Sequence, residues 1–207
     1  MRVREDWRKR IKEPFLKVVL TLSSHEPFDV PMEPVFKKDD YMTKYKNSVY
    51  YSDKSLGTFL DWAKERDWWK NTLIILVADH GARISSDILN YSQEVFRIPM
   101  LWIGGALSKK GVRIEKLGSQ VDIPVTLLNQ LGLSGNFPFS KDLLSSYSRS
   151  FAFYTFNEGF SFITDSSVVI YDHKVKKPVL KEGANPDFAE KNGKAYLQIL
   201  FNDYLKR

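Results

Sequence analysis

Two segments of the 207-residue chain set metal- or anion-binding residue types directly behind apolar runs. The first is TLIILVADHG (72–81), where Asp79, His80 and Gly81 follow the run. A carboxylate oxygen beside an imidazole nitrogen suits Zn²⁺ or Mn²⁺, and a glycine next to them gives the backbone room to turn. The same pair also suits a plainer role, with Asp79 capping the next helix and His80 packed. The second segment is LTLSSHEPF (20–28), which places His25 and Glu26 after an apolar run and two serines. A histidine there is a ligand, a general acid or base, or a donor to an anion; the alternative is a loop histidine bonded to backbone. The third histidine, His173, ends a later strand and reads as structural or exposed.

Other residue types carry weaker signals. Thr21, Ser23 and Ser24 are nucleophiles by type, but no base motif accompanies them. Arg97 suits an anion or a carboxylate partner, Asp122 a helix cap, and Asp53 an exposed or paired mid-helix position. Trp62, Trp68 and Trp69 read as core and helix end. Gly104 and Gly105 lack the spacing of a phosphate-binding loop.

These residues need elements to hold them. KVVLTL (17–22) is short and rich in β-branched residues, and is predicted as a buried strand ending at the SSHEPF loop. Residues 39–68 show helical periodicity, with Tyr41, Tyr45, Val49, Leu56, Phe59 and Leu60 as the stripe and Asp39 and Asp40 at the start. TLIILVA (72–78) is apolar on both faces, as a central strand of a covered sheet is. PMLWIG (99–104) reads as another buried strand. DIPVTLLNQL (122–131) reads as a helix capped by Asp122, with Pro124 in its first turn and Gly132 as its stop. From about residue 150 short strands follow at 151–156, 160–165 and 168–173, an antiparallel meander. A helix over 187–205 closes the chain. The pattern predicts an α/β three-layer sandwich with a mainly parallel central sheet, followed by a small antiparallel sheet and a C-terminal helix.

Composition narrows the classes. A chain with 43% hydrophobic and 27% charged residues is globular rather than disordered. It has no cysteine, so disulfides, thiolate metal sites and cysteine nucleophiles are excluded. No apolar run reaches the roughly 18 residues of a membrane span, and the basic start has no apolar stretch behind it, so it is not a signal peptide. Of the net charge of +6, residues 1–12 hold +4, leaving a nearly neutral body. A nucleic-acid binder spreads its charge along a face; a solvated leader concentrates it at one end.

Four blocks in order are TLSSHEPF, YKNSVYYSDKSLGTFLDWAKERDWWKNTLIILVADHG, FRIPMLWIGGAL and SQVDIPVTLLNQLGL. They resemble the C-terminal half of sulfatase-like enzymes of the alkaline phosphatase superfamily, in particular the lipoteichoic acid synthase type of phosphoglycerol transferase. The resemblance covers roughly residues 15–135. It divides the chain into a basic leader (1–14), the C-terminal part of the α/β domain (15–140) and a small antiparallel subdomain with a closing helix (141–207).

The resemblance implies a divalent metal (Mn, Zn, Ca or Mg) held by Asp79 and His80, with His25 donating to the oxygens of a sulfate or phosphate group. It implies an anionic ester substrate: a sulfate, a phosphodiester or a lipid-linked phosphoglycerol. A Thr, Ser or formylglycine nucleophile would attack phosphorus or sulfur. In such enzymes the nucleophile and first acidic ligand belong to the N-terminal half, which these residues do not match. The stretch 82–90 also lacks the extra histidine of some relatives. The expectation is therefore a partial domain, inactive alone, whose parent enzyme sits at the bacterial cytoplasmic membrane with its catalytic domain outside. Membrane attachment would come only through polypeptide before Met1, and an incomplete sheet edge would favour self-association. The competing readings are a non-catalytic module of the same fold that binds a partner or an anionic glycan and, ranked last, a nucleic-acid binder.

Overall fold

The computed structural model describes residues 12–82 and 87–207. Most of the basic leader, residues 1–11, lies outside the described residues. The chain divides into two compact units, Met1–Val77 with Met100–Ser108 and Ala78–Pro99 with Lys109–Arg207.

The first unit is built on helix α1 (Tyr41–Lys64), which starts where Asp40 caps it. The Asp40 carboxylate accepts from the Thr43 backbone N–H at 2.8 Å and from its hydroxyl at 3.0 Å, satisfying donors that an uncapped first turn leaves open. The predicted apolar stripe is displaced in the first half of the helix. Thr43, Asn47 and Ser48 are buried there, while Tyr41 and Val49 are exposed. Asn47 explains the difference: its amide oxygen accepts from the backbone N–H groups of Val35 and Phe36 (2.9 and 3.0 Å), and its amide nitrogen donates to the Phe36 carbonyl (2.9 Å). One side chain thus supplies the bonds that an irregular loop cannot make to itself. Further along, Phe59 is buried as predicted, and Ala63 is buried beside the predicted stripe. Beyond the helix a 3-10 turn (Asp67–Asn71) follows, and Trp62 packs between Phe59 and Trp68, each ring 5.9 Å away. The tryptophans serve the helix end, as expected.

Strands β1 (Ile74–Val77) and β2 (Met100–Ile103) form where predicted. They pair with each other antiparallel, Ile74 opposite Ile103, rather than as parallel neighbours. A parallel pair needs a crossover of a dozen or more residues, commonly a helix. Among the described residues between these strands there is a single helical turn, α2 (Gln93–Phe96). Gly104 and Gly105 then bring the chain against the 3-10 turn, with the Gly105 N–H bonded to the Trp69 carbonyl at 3.1 Å. Gly104 has φ +130°.

Residues 17–22 are a correction. No strand forms there, and Val18, Leu20 and Leu22 are 78–85% exposed. Strand propensity is realised only against a neighbour, and among the described residues β1 pairs with β2 alone.

The second unit carries the predicted meander. Strands β3 (Phe151–Phe156), β4 (Gly159–Thr164), β5 (Ser167–Asp172) and β6 (Lys177–Gly183) pair in chain order, all antiparallel. The sequence reading missed β6. Its Pro178 reads as a strand breaker, yet β6 is an edge strand, where a missing N–H is tolerated. Helix α4 (Pro186–Tyr204) lies across one face of this sheet, and Phe160, Phe162, Val169 and Ala189 form the buried core between them. Gly193 permits the close approach, since a Cβ there would press on the Phe160 ring and come within 2.9 Å of the Phe162 Cβ. Helix α3 (Ile123–Gln130) begins at Asp122 with proline in its first turn and ends before Gly132 at φ +67°, as predicted.

Candidate metal centre

Asp79 and His80 stand at the corner directly after β1. The Asp79 Oδ1 accepts from the His80 backbone N–H at 2.8 Å. This turns the carboxylate back over the following peptide and brings Asp79 Oδ2 to 3.7 Å from His80 Nε2. The other imidazole nitrogen, Nδ1, lies 2.9 Å from the Gly81 carbonyl oxygen. When Nδ1 carries the proton it donates to that oxygen, and Nε2 is left with a free lone pair. Both side chains are about 80% exposed.

The backbone under the pair is pinned from a distant part of the sequence. The Gln120 amide donates to the Ala78 carbonyl at 2.6 Å and to the Asp79 carbonyl at 2.8 Å. Gln120 opens a 3-10 turn (Gln120–Asp122) that is itself anchored. Asp122 is 1% exposed, accepts from the Ser119 N–H at 2.8 Å and the Lys141 N–H at 3.0 Å, and pairs with the Lys141 ammonium at 2.5 Å. Asp122 is thus a structural group, but its carboxylate makes no capping bond to the helix it precedes and is spent on Ser119 and Lys141 instead. Gly81 passes directly over the Val95 carbonyl, where any Cβ would collide with backbone. Val95 in turn belongs to α2, held by two contacts to Tyr154: its ring stacks on Phe96 at 3.9 Å, and its hydroxyl donates to the Tyr91 carbonyl at 2.8 Å. Burial pushes the Tyr154 hydroxyl pKa upward, so that hydroxyl keeps its donor proton.

His25 belongs to the first unit, in a turn closed by bonds from the His25 N–H to the Leu22 carbonyl and from the Phe28 N–H to the His25 carbonyl (3.0 and 2.9 Å). Its ring is exposed, with Nδ1 3.1 Å from the Glu26 carbonyl oxygen. Three contacts fix the turn. Ser24 and Ser52 share a hydroxyl bond at 3.3 Å, and the Tyr41 hydroxyl donates to Glu26 at 2.8 Å. Phe28 is buried edge-on against Tyr41 and Tyr45. Phe28 adopts φ +65°, a left-handed conformation that is costly for a bulky residue. Ser24 is thereby a turn residue, as the absence of a base motif suggested.

The remaining candidates are outside this constellation. Arg97 and Asp53 are exposed. His173 is exposed at the end of β5, its ring near Phe160 and Tyr171.

The corner residues fit a divalent ion in part. Two ligand atoms on one tetrahedral ion lie roughly 3.3 Å apart for bonds near 2.0–2.1 Å, and the Asp79–His80 pair is close to that spacing. Among the described residues no cluster of three or more His, Cys, Asp or Glu is arranged to hold a metal, so the pair fills at most two positions of a shell. Sequence reasoning missed Gln120 and Asn47, since both lie within the matched blocks but neither is of a type that marks a site, and their partners lie far off in sequence.

The architecture is that of the alkaline phosphatase superfamily. A member of that superfamily from Vibrio parahaemolyticus superposes with TM-score 0.68 and 25% identity, covering 89% of this chain and 48% of that one. The lipoteichoic acid synthase LtaP from Listeria monocytogenes superposes with TM-score 0.67 and 22% identity, covering 90% and 53%. In sequence the chain is 27% identical over 181 residues to the lipoteichoic acid synthase-like protein YvgJ of Bacillus subtilis, covering 77% of this chain and 29% of that protein. It is 26% identical over 155 residues to lipoteichoic acid synthase 1 of the same organism, covering 65% and 24%. The sulfatase family model matches residues 4–133, and the chain belongs to that family. It spans under a third of these sequence relatives and about half of the solved chains. No helix of the described residues is long and apolar enough to cross a membrane.

Proposed function

We propose that this chain supplies the Asp79–His80 corner and the His25 turn to a metal-dependent site that transfers or hydrolyses sulfate or phosphate esters. The observation that carries the proposal is the paired presentation of an exposed carboxylate oxygen and an exposed imidazole nitrogen 3.7 Å apart behind β1. Asp79 and His80 would hold the ion, which when bound supplies Lewis-acid polarisation of the ester group. His25 would donate to the non-bridging oxygens of the substrate. Further donors and the nucleophile would come from polypeptide outside these 207 residues, consistent with a span of about half the solved relatives. The relatives named as lipoteichoic acid synthases favour a substrate of that chemistry, and the family resemblance would give a phosphoglycerol-type group handled at an extracytoplasmic site of a membrane-anchored parent. The exposed residues of 15–22 and the open side of β1 would be covered in that larger domain.

The chain itself tests this reading. Mn²⁺ or Zn²⁺ titrated by calorimetry is expected to bind weakly and to lose binding in Asp79→Ala and His80→Ala. Turnover of an aryl sulfate or a phosphodiester is expected to be negligible. Metal uptake unchanged in both variants, or brisk turnover by the chain alone, overturns it. The absence of a third donor among the described residues favours one alternative, a metal-free module of the same fold. In that case binding of an anionic glycan would persist in both variants.

A further inference from the structure

We infer that Gln120 is a positioning residue for the metal corner, resting on the reading of Asp79 and His80 as ligands. Ala78 and Asp79 follow the last residue of β1, so their carbonyls leave the ladder just where the ligand-bearing backbone begins. One side-chain amide captures both, at 2.6 and 2.8 Å, across 42 and 41 residues of sequence. Two bonds from one nitrogen to successive carbonyls fix the orientation of both peptide planes and hence the direction of the Asp79 Cα–Cβ bond. The Gln120 amide nitrogen donates to both of these carbonyls. The turn it opens is held instead by Ser119, Asp122 and Lys141, whose hydrogen bonds do not involve it.

Its neighbours show that the bond is aimed. Asp79 Oδ1 is already committed to the His80 N–H, and His80 Nδ1 lies beside the Gly81 carbonyl. Both side chains are exposed and bonded only to adjacent backbone, so the backbone that Gln120 holds is what sets where the pair is presented. Outer-shell partners that orient ligands typically contribute 10–100-fold to metal affinity, because a ligand held in place loses less freedom on binding.

The test uses Gln120→Met, which keeps length and volume but removes the donor, beside Asp79→Ala, in the full chain. Mn²⁺ is added and paramagnetic broadening of the His80 ring resonances is followed by NMR, a readout that also reports weak binding. The Mn²⁺ concentration for half-broadening is expected to rise at least tenfold in Gln120→Met, with an unchanged thermal midpoint and far-UV circular dichroism. Asp79→Ala is expected to abolish the effect. Amide hydrogen exchange of His80 without metal is expected to accelerate several-fold in Gln120→Met while β4 is unaffected. Unchanged exchange and unchanged Mn²⁺ response in Gln120→Met overturn the role of Gln120. Accelerated exchange with no Mn²⁺ broadening in the wild type supports backbone positioning but overturns the metal assignment, and with it the positioning of a metal ligand.

Discussion

Asp122 and Lys141 form an ion pair at 2.5 Å with the carboxylate 1% and the ammonium side chain 14% exposed. The Lys141 ammonium also donates to the Phe151 carbonyl at 3.0 Å and sits 4.1 Å above the Phe151 ring. This pair joins the start of α3 to the first strand of the meander. Removing one partner strands the other charge in a desolvated place, which costs about 3–5 kcal/mol. Asp122→Ala is expected to lower unfolding stability by that amount in urea titration. Lys141→Met should behave alike, because it leaves the buried carboxylate without its cation.

Glu190 lies between two cations, Lys181 at 2.7 Å and Lys194 at 2.6 Å. Hydrogen bonds first from Lys181 and then from Lys194 hold its carboxyl below the usual range. Its contribution to stability is therefore present above its unfolded pKa, about 4.3, and is lost as pH falls through the depressed folded value. Lys181 is shifted the opposite way, raised by Asp187 and then Glu190. Its share is present below an unfolded value near 10.4 and lost as pH rises through the folded one. The urea midpoint is expected to fall on acidification below about pH 4.3, and Glu190→Gln should flatten that limb. An equally steep limb in Glu190→Gln would refute the assignment.

Gly193 poses two opposed effects. Alanine in a helix interior is favoured over glycine by about 1 kcal/mol. Here the added methyl would meet the ring of Phe160, which is fully buried and has no room to move. Overpacking of a tight core costs about 1–3 kcal/mol, so the steric effect wins. Gly193→Ala is expected to lower the thermal midpoint, and Gly193→Val to lower it further.

Gly81→Ala tests the corner from the other side. Its Cβ would collide with the Val95 carbonyl, and α2 is held by the Tyr154 stack and hydrogen bond. The 79–81 backbone must therefore yield. Mn²⁺ affinity is expected to fall at least tenfold, with global stability little changed because the corner is exposed. Wild-type affinity in Gly81→Ala would show that the corner tolerates the shift.

Residues 17–22 offer apolar side chains with no strand partner among the described residues. Uncovered strand-forming sequence is a template for pairing. Sedimentation velocity at rising protein concentration is expected to show self-association, reduced by the double change Val18→Lys and Leu20→Lys. A monomer at all concentrations would contradict it.

Much of the fold is legible because its signals are local. Helix α3 follows from the proline in its first turn and from Gly132, since chain stiffness and a left-handed stop act within a turn. The meander follows from short strands with tight connections between them, and a closing helix is expected over 187–205. What escapes is non-local. Strand β6 is hidden by Pro178, tolerated only because that strand lies at an edge. The parallel pairing expected of β1 depends on which strand arrives beside it, and the one that does is antiparallel.

The candidate site divides in the same way. The sequence by itself determined the adjacency of Asp79 and His80, their place behind an apolar strand, and the ordered blocks shared with the sulfatase family. Adjacent residues on one backbone need no tertiary contact to remain neighbours. Tertiary structure alone decided that Gln120 holds their carbonyls, that Asn47 closes a loop eleven and twelve residues away, and that Gly81 must lack a side chain. Such contacts join residues whose separation in sequence follows no period, so only the folded chain brings donor and acceptor within hydrogen-bond reach.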